Sequence, residues 1–204
     1  MSRIRSFTTT PLSRLAVAAV SLLLASPAGA YDFPLTSSAI RDAYFLGTRQ
    51  GGLDAEFLAR YVRAVPELKQ GNCTTQVRIE TPFLQAAQSL GSMPNTSAQD
   101  AVKAFYDKPM ALRVFLDICY TREAPPPYSV RIRVLQNKKV ITPSAETRTA
   151  FAERFTEESF LLPNGEKAVL EFNPGEIDSS ALTIRMDTPD GQHADCVFDM
   201  EAIR

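Results

Sequence analysis

Hydrophobic and polar residues follow two different periods along this chain, and the period changes near residue 108. Before that point apolar residues recur every three or four positions, which is typical of amphipathic helices. After it they alternate with polar residues, as in half-buried strands. Helices are predicted over about 37–50, 54–65 and 97–107, with one strand at 75–81. Further strands are predicted at 110–121, 128–134, 167–172, 181–187 and 193–200, while residues 143–165 show no pattern that assigns them.

The segment AIRDAYFLGTRQGG (39–52) has two interpretations, a phosphate-binding loop or the end of a helix. A phosphate-binding loop places its glycines after a strand and before a helix. Here Gly51 and Gly52 follow a helical pattern for which Ser37 and Ser38 are candidate N-caps. The order of the elements therefore favours a helix that ends at the glycines.

These elements predict an α+β fold, in which an antiparallel, β-sandwich-like sheet domain has two to four N-terminal helices packed against it. Residues 31–108 are expected to form a helical part with one strand. Residues 109–204 are expected to form the antiparallel β part of the same single domain. The Pro-Asp-Gly sequence at 189–191 predicts a hairpin turn between the last two strands.

The first thirty residues have the pattern of a cleaved signal peptide. Arg3, Arg5 and Arg14 precede or border the apolar run LAVAAVSLLLA, and Ala28 and Ala30 supply the small residues of a cleavage site. This apolar run, eleven residues long with one serine, is too short to span a bilayer, which takes about 20. We therefore expect cleavage after Ala30 and a soluble mature chain in the periplasm or outside the cell.

Charge narrows the range of partners. The leader holds three of the 22 basic residues and none of the 23 acidic ones, which leaves the mature chain with a net charge of −4. A chain with no basic excess is poorly suited to neutralise nucleic-acid phosphates or an anionic membrane surface. Nucleic acid and membrane are therefore not expected partners, whereas a protein or a small anionic ligand remains open.

Motifs for catalysis, metals and cofactors are missing from the sequence. His193 is the only histidine, and no G-x-S-x-G segment presents a nucleophilic serine. His193 and Asp195 share a strand face, but two ligands beside a turn are weak support for a metal site, so an exposed strand histidine is favoured. Glu153 and Glu157 lie four residues apart, and a solvated helical face explains them better than paired catalytic carboxylates. The sequence favours a protein without catalytic residues, metal or cofactor.

Three cysteines follow the leader, and in an oxidising compartment this number predicts one disulfide and one remaining thiol. Cys196 has the same strand parity as Ala194, Phe198 and Met200, which predicts a buried thiol. We expect Cys73 to pair with Cys119, because an antiparallel neighbour of the strand at 110–121 that begins at Cys73 would reach its far end.

Phe45 falls among the polar residues of the first helix, between Arg41 and Arg49. Apolar residues are usually buried, so one interpretation packs Phe45 against the second helix. The alternative is an exposed aromatic flanked by arginines, a composition typical of interface anchors. Under that alternative Phe45, Arg41 and Arg49 form a partner contact.

A second candidate surface is formed by arginines. Period-two alternation places Arg113, Arg131 and Arg133 on the outward side of two consecutive strands. Consecutive strands joined by a short connection are often neighbours in a sheet, so the three guanidinium groups are expected to cluster into a binding face for an anion or a partner. The alternative is a solvated face of weak surface ion pairs.

These observations favour an exported, soluble, non-catalytic binding or envelope-associated module. Two alternatives remain open: a secreted hydrolase that uses carboxylate chemistry, and a carrier of a small apolar ligand inside the sandwich. A polar cleft with convergent carboxylates would favour the hydrolase, and a large apolar cavity would favour the carrier. An exposed aromatic–arginine patch would favour the module.

Overall fold

The computed structural model describes residues 31–66, 72–93, 95–120, 130–151, 165–188 and 191–204. These residues form an α+β fold, as predicted, with α-helices in the first part and two antiparallel sheets. The helices are α1 (Ser37–Thr48), α2 (Ala55–Ala59), α3 (Pro82–Gly91) and α4 (Ala98–Phe105), and a 3₁₀ helix covers Pro174–Glu176.

The strands form a five-stranded and a four-stranded sheet. The first has the order β1 (Val62–Ala64), β2 (Asn72–Glu80), β3 (Leu112–Tyr120), β7 (Gly165–Phe172) and β6 (Ala145–Phe151). The second has the order β5 (Lys139–Ile141), β4 (Arg131–Gln136), β8 (Leu182–Asp187) and β9 (His193–Phe198). Every pairing within the two sheets is antiparallel.

Strand parity was predicted correctly. The described residues on the face opposite the outward arginines belong to one apolar cluster that contains both sheets, including Leu112, Val114, Leu116 and Ile118 of β3, Ile184 of β8 and Phe198 of β9, while Ile132 of β4 is partly buried against it. Cys196 also lies in this cluster and is 3% exposed, as its parity predicted. Burial of alternate residues from both sheets is what makes the arrangement sandwich-like.

Helix α1 confirms that the glycines follow a helix. Gly51 and Gly52 come after its end and have φ angles of +93° and +72°, which glycine adopts without steric cost. The N-cap differs from the prediction, because Thr36 accepts the hydrogen bond of the Ala39 amide at 3.1 Å, ahead of Ser37 and Ser38. The Thr36 hydroxyl, one residue before the predicted caps, thus accepts from an amide at the start of the helix that has no partner within it.

The second helix is shorter in the structure than the sequence predicts. Helix α2 ends at Ala59, and Val62–Ala64 forms β1 against β2, with Val62 opposite Arg78. The Ile79 amide donates to the Tyr61 carbonyl at 2.9 Å, so the chain changes from helix to sheet directly after the buried Tyr61. The β-branched Val62 suits a strand as well as a helix, and pairing with β2 decides between them.

Helix α3 was not predicted. It begins at a local signal, since the Thr81 hydroxyl accepts from the Leu84 amide at 3.2 Å and Pro82 occupies the first turn. Its buried side chains form a second apolar cluster with α1 and α4 that includes Ile40, Phe83, Leu90 and Phe105. The helices therefore pack mainly on one another.

Two further strand pairings concern the unassigned segment and the predicted hairpin. Strand β6 lies within the segment left unassigned, and its residues pair with β7, with Thr147 opposite Val169. The predicted hairpin joins β8 and β9, where the Thr188 amide donates to the Gln192 carbonyl at 2.9 Å. Among the described helices, none combines the length and hydropathy needed to cross a membrane.

Candidate binding site

A row of charged residues crosses three strands of the five-stranded sheet on its outer face. Glu80 of β2 lies opposite Arg113 of β3, and Arg113 lies opposite Glu171 of β7. The row lies where β2 runs into α3 and where β7 runs toward the 3₁₀ helix. Antiparallel pairing thus brings together residues that are up to 91 positions apart in the sequence.

These three residues line a cleft of about 560 Å³. Its walls come from α3, from the segment that leads into β3 and from the end of β7; they include Gln88, Ser89, Lys108, Met110, Ser144 and Asn173. Gln85 connects α3 to the sheet, because its Nε2 donates to the Glu80 and Ala111 carbonyls at 3.1 and 2.6 Å. The volume lies in the range that small-molecule sites occupy, roughly 300–1,000 Å³.

The guanidinium of Arg113 donates only part of its possible hydrogen bonds to described residues. Its Nε donates to Glu171 Oε1 at 2.8 Å, and its side chain is 42% exposed. Within the described part of the chain, neither terminal nitrogen of Arg113 has a hydrogen-bond acceptor. The edge of the guanidinium formed by these two nitrogens suits a second, bidentate oxyanion.

The two acids in the cleft are both held by arginines. Glu171 pairs with Arg113, and Glu80, whose side chain is 10% exposed, forms an ion pair with Arg78 with 2.9 Å between Oε1 and Nη1. Lys108 has no carboxylate within ion-pair distance among the residues that the structure describes, and its Nζ lies 4.6 Å from the Phe105 ring centroid. The cleft itself is lined by two cations, Arg113 and Lys108, and by the two acids. Arg78, outside the lining, neutralises Glu80, and the surplus positive charge around the cleft favours a ligand with negative charge.

The three arginines predicted to cluster do not lie together. Arg113 belongs to β3, which pairs with β2 and β7, whereas Arg131 and Arg133 belong to β4, which pairs with β5 and β8. The expectation that β3 and β4 are neighbours is wrong, since the chain crosses from one sheet to the other between them. A single face that contains all three guanidinium groups is therefore excluded.

On the outer face of the four-stranded sheet, the positive charges of two arginines are neutralised by acids from neighbouring strands. Arg133 makes a bidentate pair with Asp187 at 2.7 and 2.8 Å, and Arg185 makes one with Asp195 at 2.7 and 2.6 Å. The hydrogen bond from Arg185 lowers the pKa of the Asp195 carboxyl, and the hydrogen bond to Asp187 raises the pKa of Arg133. Arg131 is exposed and makes no ion pair with a described residue. This face matches the weak surface ion pairs of the alternative interpretation.

The outer side of α1 carries the second predicted surface. Phe45 is 63% exposed and contacts Tyr44 edge-on, with 5.2 Å between the ring centroids. The interpretation that buries Phe45 is therefore wrong. Arg41 is exposed and has no ion pair among the described residues, while Arg49 lies 3.5 Å from Asp54. Asp42, the acid next to Arg41, accepts a hydrogen bond from Arg204 at 3.1 Å. An exposed aromatic flanked by arginines therefore lies on this helix.

The remaining predicted residues have separate locations. Cys73 and Cys119 are directly opposite each other in the β2–β3 register, although their side chains lie outside the described part of the structure. His193 is exposed at the start of β9, and among the described residues no group of three or more His, Cys, Asp or Glu side chains could hold a metal ion. The predicted leader, 1–30, and the pair Glu153 and Glu157 lie outside the described residues.

Sequence reasoning missed the cleft because its charged row depends on strand partners. Arg113 and Glu171 come from strands that are separated by three other described strands in the sequence. Outward parity was visible at Glu80 and Arg113, but the pairing of β3 with β7 was not. The start of α3 had a usable signal in Thr81 and Pro82, and that signal would have placed a helix beside Glu80.

The fold and the cleft together define an α+β protein with a polar site at the junction of a helix and the outer face of a sheet. No protein-family model matches the chain, and no curated protein or solved structure is significantly similar to it.

Proposed function

We propose that this chain is an exported, non-catalytic binding module that takes a small carboxylate-bearing ligand in the cleft at Arg113. The proposal is supported by the guanidinium of Arg113, whose two terminal nitrogens have no acceptor among the described residues, and by Lys108, which has no acid partner among them. A carboxylate fits such a guanidinium edge with two parallel hydrogen bonds. Phosphate presents the same oxyanion chemistry, so the test includes it.

The position of Tyr31 supports the exported form. Tyr31 is the first residue after the predicted cleavage site, and its amide nitrogen donates to the Met200 carbonyl at 3.2 Å. Its hydroxyl donates to the Pro174 carbonyl at 3.3 Å, and burial raises the pKa of its phenol. A chain that begins at Tyr31 would therefore retain the contacts that fix its first residue.

The exposed side of α1 is the proposed partner contact of the module. Phe45 supplies an apolar anchor, and Arg41 and Arg49 supply positive charge around it. The partner that this surface fits is an acidic protein surface with an apolar pocket for one aromatic ring.

The hydrolase alternative is favoured by one observation, the presence of Glu80 and Glu171 on either side of Arg113. Two strand spacings separate their backbones by about 10 Å, and their side chains can bring the carboxyl groups to the roughly 6.5–9.5 Å at which two carboxylates act on one glycosidic bond. Against it, each carboxylate already pairs with a guanidinium nitrogen at 2.8–2.9 Å, so neither acid is free to contact a substrate bond. The carrier alternative has no comparable support, because the core between the sheets is filled by side chains such as Leu116, Ile184 and Phe198.

Binding is tested by calorimetry with a panel of mono- and dicarboxylates, inorganic phosphate and the neutral amides of the same acids. We expect at least one carboxylate to bind with salt-sensitive affinity, and Arg113→Gln to weaken it by tenfold or more. Arg131→Gln is the matched control, because Arg131 is exposed on the other sheet and its loss should leave binding unchanged. Equal binding by Arg113→Gln and the unaltered protein, or no binding across the panel, would refute the ligand class.

The same preparation distinguishes the hydrolase. Assays with chromogenic esters, glycosides and peptides should show no turnover by the unaltered protein. Turnover that disappears in Glu80→Gln and in Glu171→Gln would replace the proposed binding module by the hydrolase.

A further inference from the structure

Cys73 and Cys119 occupy opposed positions on two neighbouring strands. The β2–β3 register pairs Cys73 with Cys119, and the pairs beside it, Asn72 with Tyr120 and Thr74 with Ile118, continue the same antiparallel ladder. Residues directly opposite each other in an antiparallel pair share one face of the sheet. The fold thus brings to one register position two cysteines that lie 46 positions apart in the sequence.

This register meets the backbone requirement of a disulfide. Opposed residues of an antiparallel pair have Cα atoms about 4.5 Å apart in non-hydrogen-bonded positions and about 5.5 Å apart in hydrogen-bonded ones. Disulfides join Cα atoms that are about 4.4–6.8 Å apart. Either kind of position therefore lies within reach of a bridge without displacement of the strands.

The third cysteine is located elsewhere and has a different environment. Cys196 is in β9 of the four-stranded sheet, is 3% exposed, and its Sγ donates to the Ala64 carbonyl at 3.7 Å. Burial raises the pKa of this thiol, which keeps it protonated and a poor nucleophile for thiol exchange. Its burial and its place in the other sheet favour a free thiol at Cys196.

We infer that Cys73 and Cys119 form a cross-strand disulfide in the exported protein, and that Cys196 remains a free thiol. The inference rests on the proposed export, since the cytoplasm keeps thiols reduced. The oxidant is a protein or small-molecule disulfide that reacts by thiol–disulfide exchange. The two cysteine thiols lose two protons and two electrons as their S–S bond forms, and the oxidant's S–S bond is reduced to two thiols.

The bridge would act on the cleft through the register of β2 and β3. These two strands carry Glu80 and Arg113 at one end of their pairing and Cys73 and Cys119 at the other. The ladder between the two ends contains a register shift between Thr74 and Val77, where an extra residue weakens the fixed alignment of the strands. A covalent link beyond this irregularity holds the alignment that places Glu80 opposite Arg113.

The test is peptide mapping of the exported protein without reduction, after free thiols are blocked in denaturant. We expect a linked peptide pair that contains Cys73 and Cys119, and the blocking group on Cys196. Cys73→Ser should free Cys119 for alkylation in the folded protein, and Cys119→Ser should free Cys73. Cys196→Ser is the matched control and should leave the linked pair intact.

A linked peptide that contains Cys196, or three blocked thiols in protein whose N-terminus is Tyr31, would overturn the inference. Failure of export is recognised separately, because the N-terminus would then be Met1. In that case the purified chain is incubated with a redox pair of reduced and oxidised glutathione. Formation of the Cys73–Cys119 link under these conditions supports the inference, and its absence refutes it.

Discussion

Replacing Gly47 by alanine is expected to destabilise the protein through the crossing of α1 and α3. A Cβ atom at Gly47 would lie 2.0 Å from the carbonyl oxygen of Ala87 and 3.1 Å from the amide nitrogen of Gly91. Both are main-chain atoms of α3, so no side-chain rotation relieves the contact. The helices would have to separate by more than 1 Å, which weakens dispersion contacts throughout the cluster between them.

The size of the effect follows from two opposing contributions. Overpacking against rigid backbone costs up to about 3 kcal/mol in the free energy of unfolding. Alanine recovers about 1 kcal/mol over glycine because it favours the helix. The net loss is therefore about 2 kcal/mol, which corresponds to a fall of about 4–8 °C in Tm for a chain of this length. Gly91→Ala should cost less, since its Cβ would lie 2.7 Å from the Gly47 carbonyl oxygen.

Differential scanning calorimetry of the purified chain measures this effect. Gly175→Ala is the matched control, because its Cβ would meet only side-chain atoms, the nearest being Asn173 Oδ1 at 3.4 Å. We expect the control to melt within about 2 °C of the unaltered protein. If Gly47→Ala melts with the control or above it, the helices do not cross as closely as the distances state, and the argument fails.

Two further predictions concern the surfaces. Phe45→Asp should change the free energy of unfolding by less than about 0.5 kcal/mol, because the ring is 63% exposed. It should also reduce co-purification of acidic proteins with the exported chain, whereas the control Tyr106→Asp, at a side chain that is 55% exposed, should not. A large loss of stability in Phe45→Asp alone would show that Phe45 is core. Arg185 lowers the pKa of Asp195 in the folded state below its value in the unfolded chain. The ionised Asp195 carboxylate therefore stabilises the fold at pH values above the unfolded-state pKa, and this stabilisation is lost as the pH falls through the folded-state pKa. Urea unfolding should therefore show the unaltered protein more stable than Asp195→Asn at pH 7, with the difference shrinking below about pH 4; a constant difference down to about pH 2 would contradict the ion pair.

The charged row in the cleft could not be predicted from the sequence, although each of its members was visible there. Outward parity at Glu80 and Arg113 follows from local alternation, since successive side chains of a strand point to opposite faces. Their contacts depend on which strands pair, and β3 pairs with β7 rather than with the next strand, β4. Strand pairing is decided by the burial of both sheets against one core, a property of the whole chain rather than of any segment.

Local chemistry by itself determined those features that need no distant partner. Helix α1 and the glycines after it, the Ser97 cap of α4, the inward parity of β3 and the burial of Cys196 all follow from neighbouring residues. The opposition of Cys73 and Cys119 required one long-range assumption, and the backbone register agrees with it.

The tertiary structure decided the rest. It turned Val62–Ala64 from the end of a predicted helix into an edge strand, because β2 offered hydrogen-bond partners that outweigh a weak helix preference. It separated Arg113 from Arg131 and Arg133 by placing β3 and β4 in different sheets. It left Phe45 in solvent, because α1 turns its small and aliphatic side to α3 and α4. Periodicity fixes which side of a segment is buried, whereas the partner of that side is fixed only when the whole core assembles.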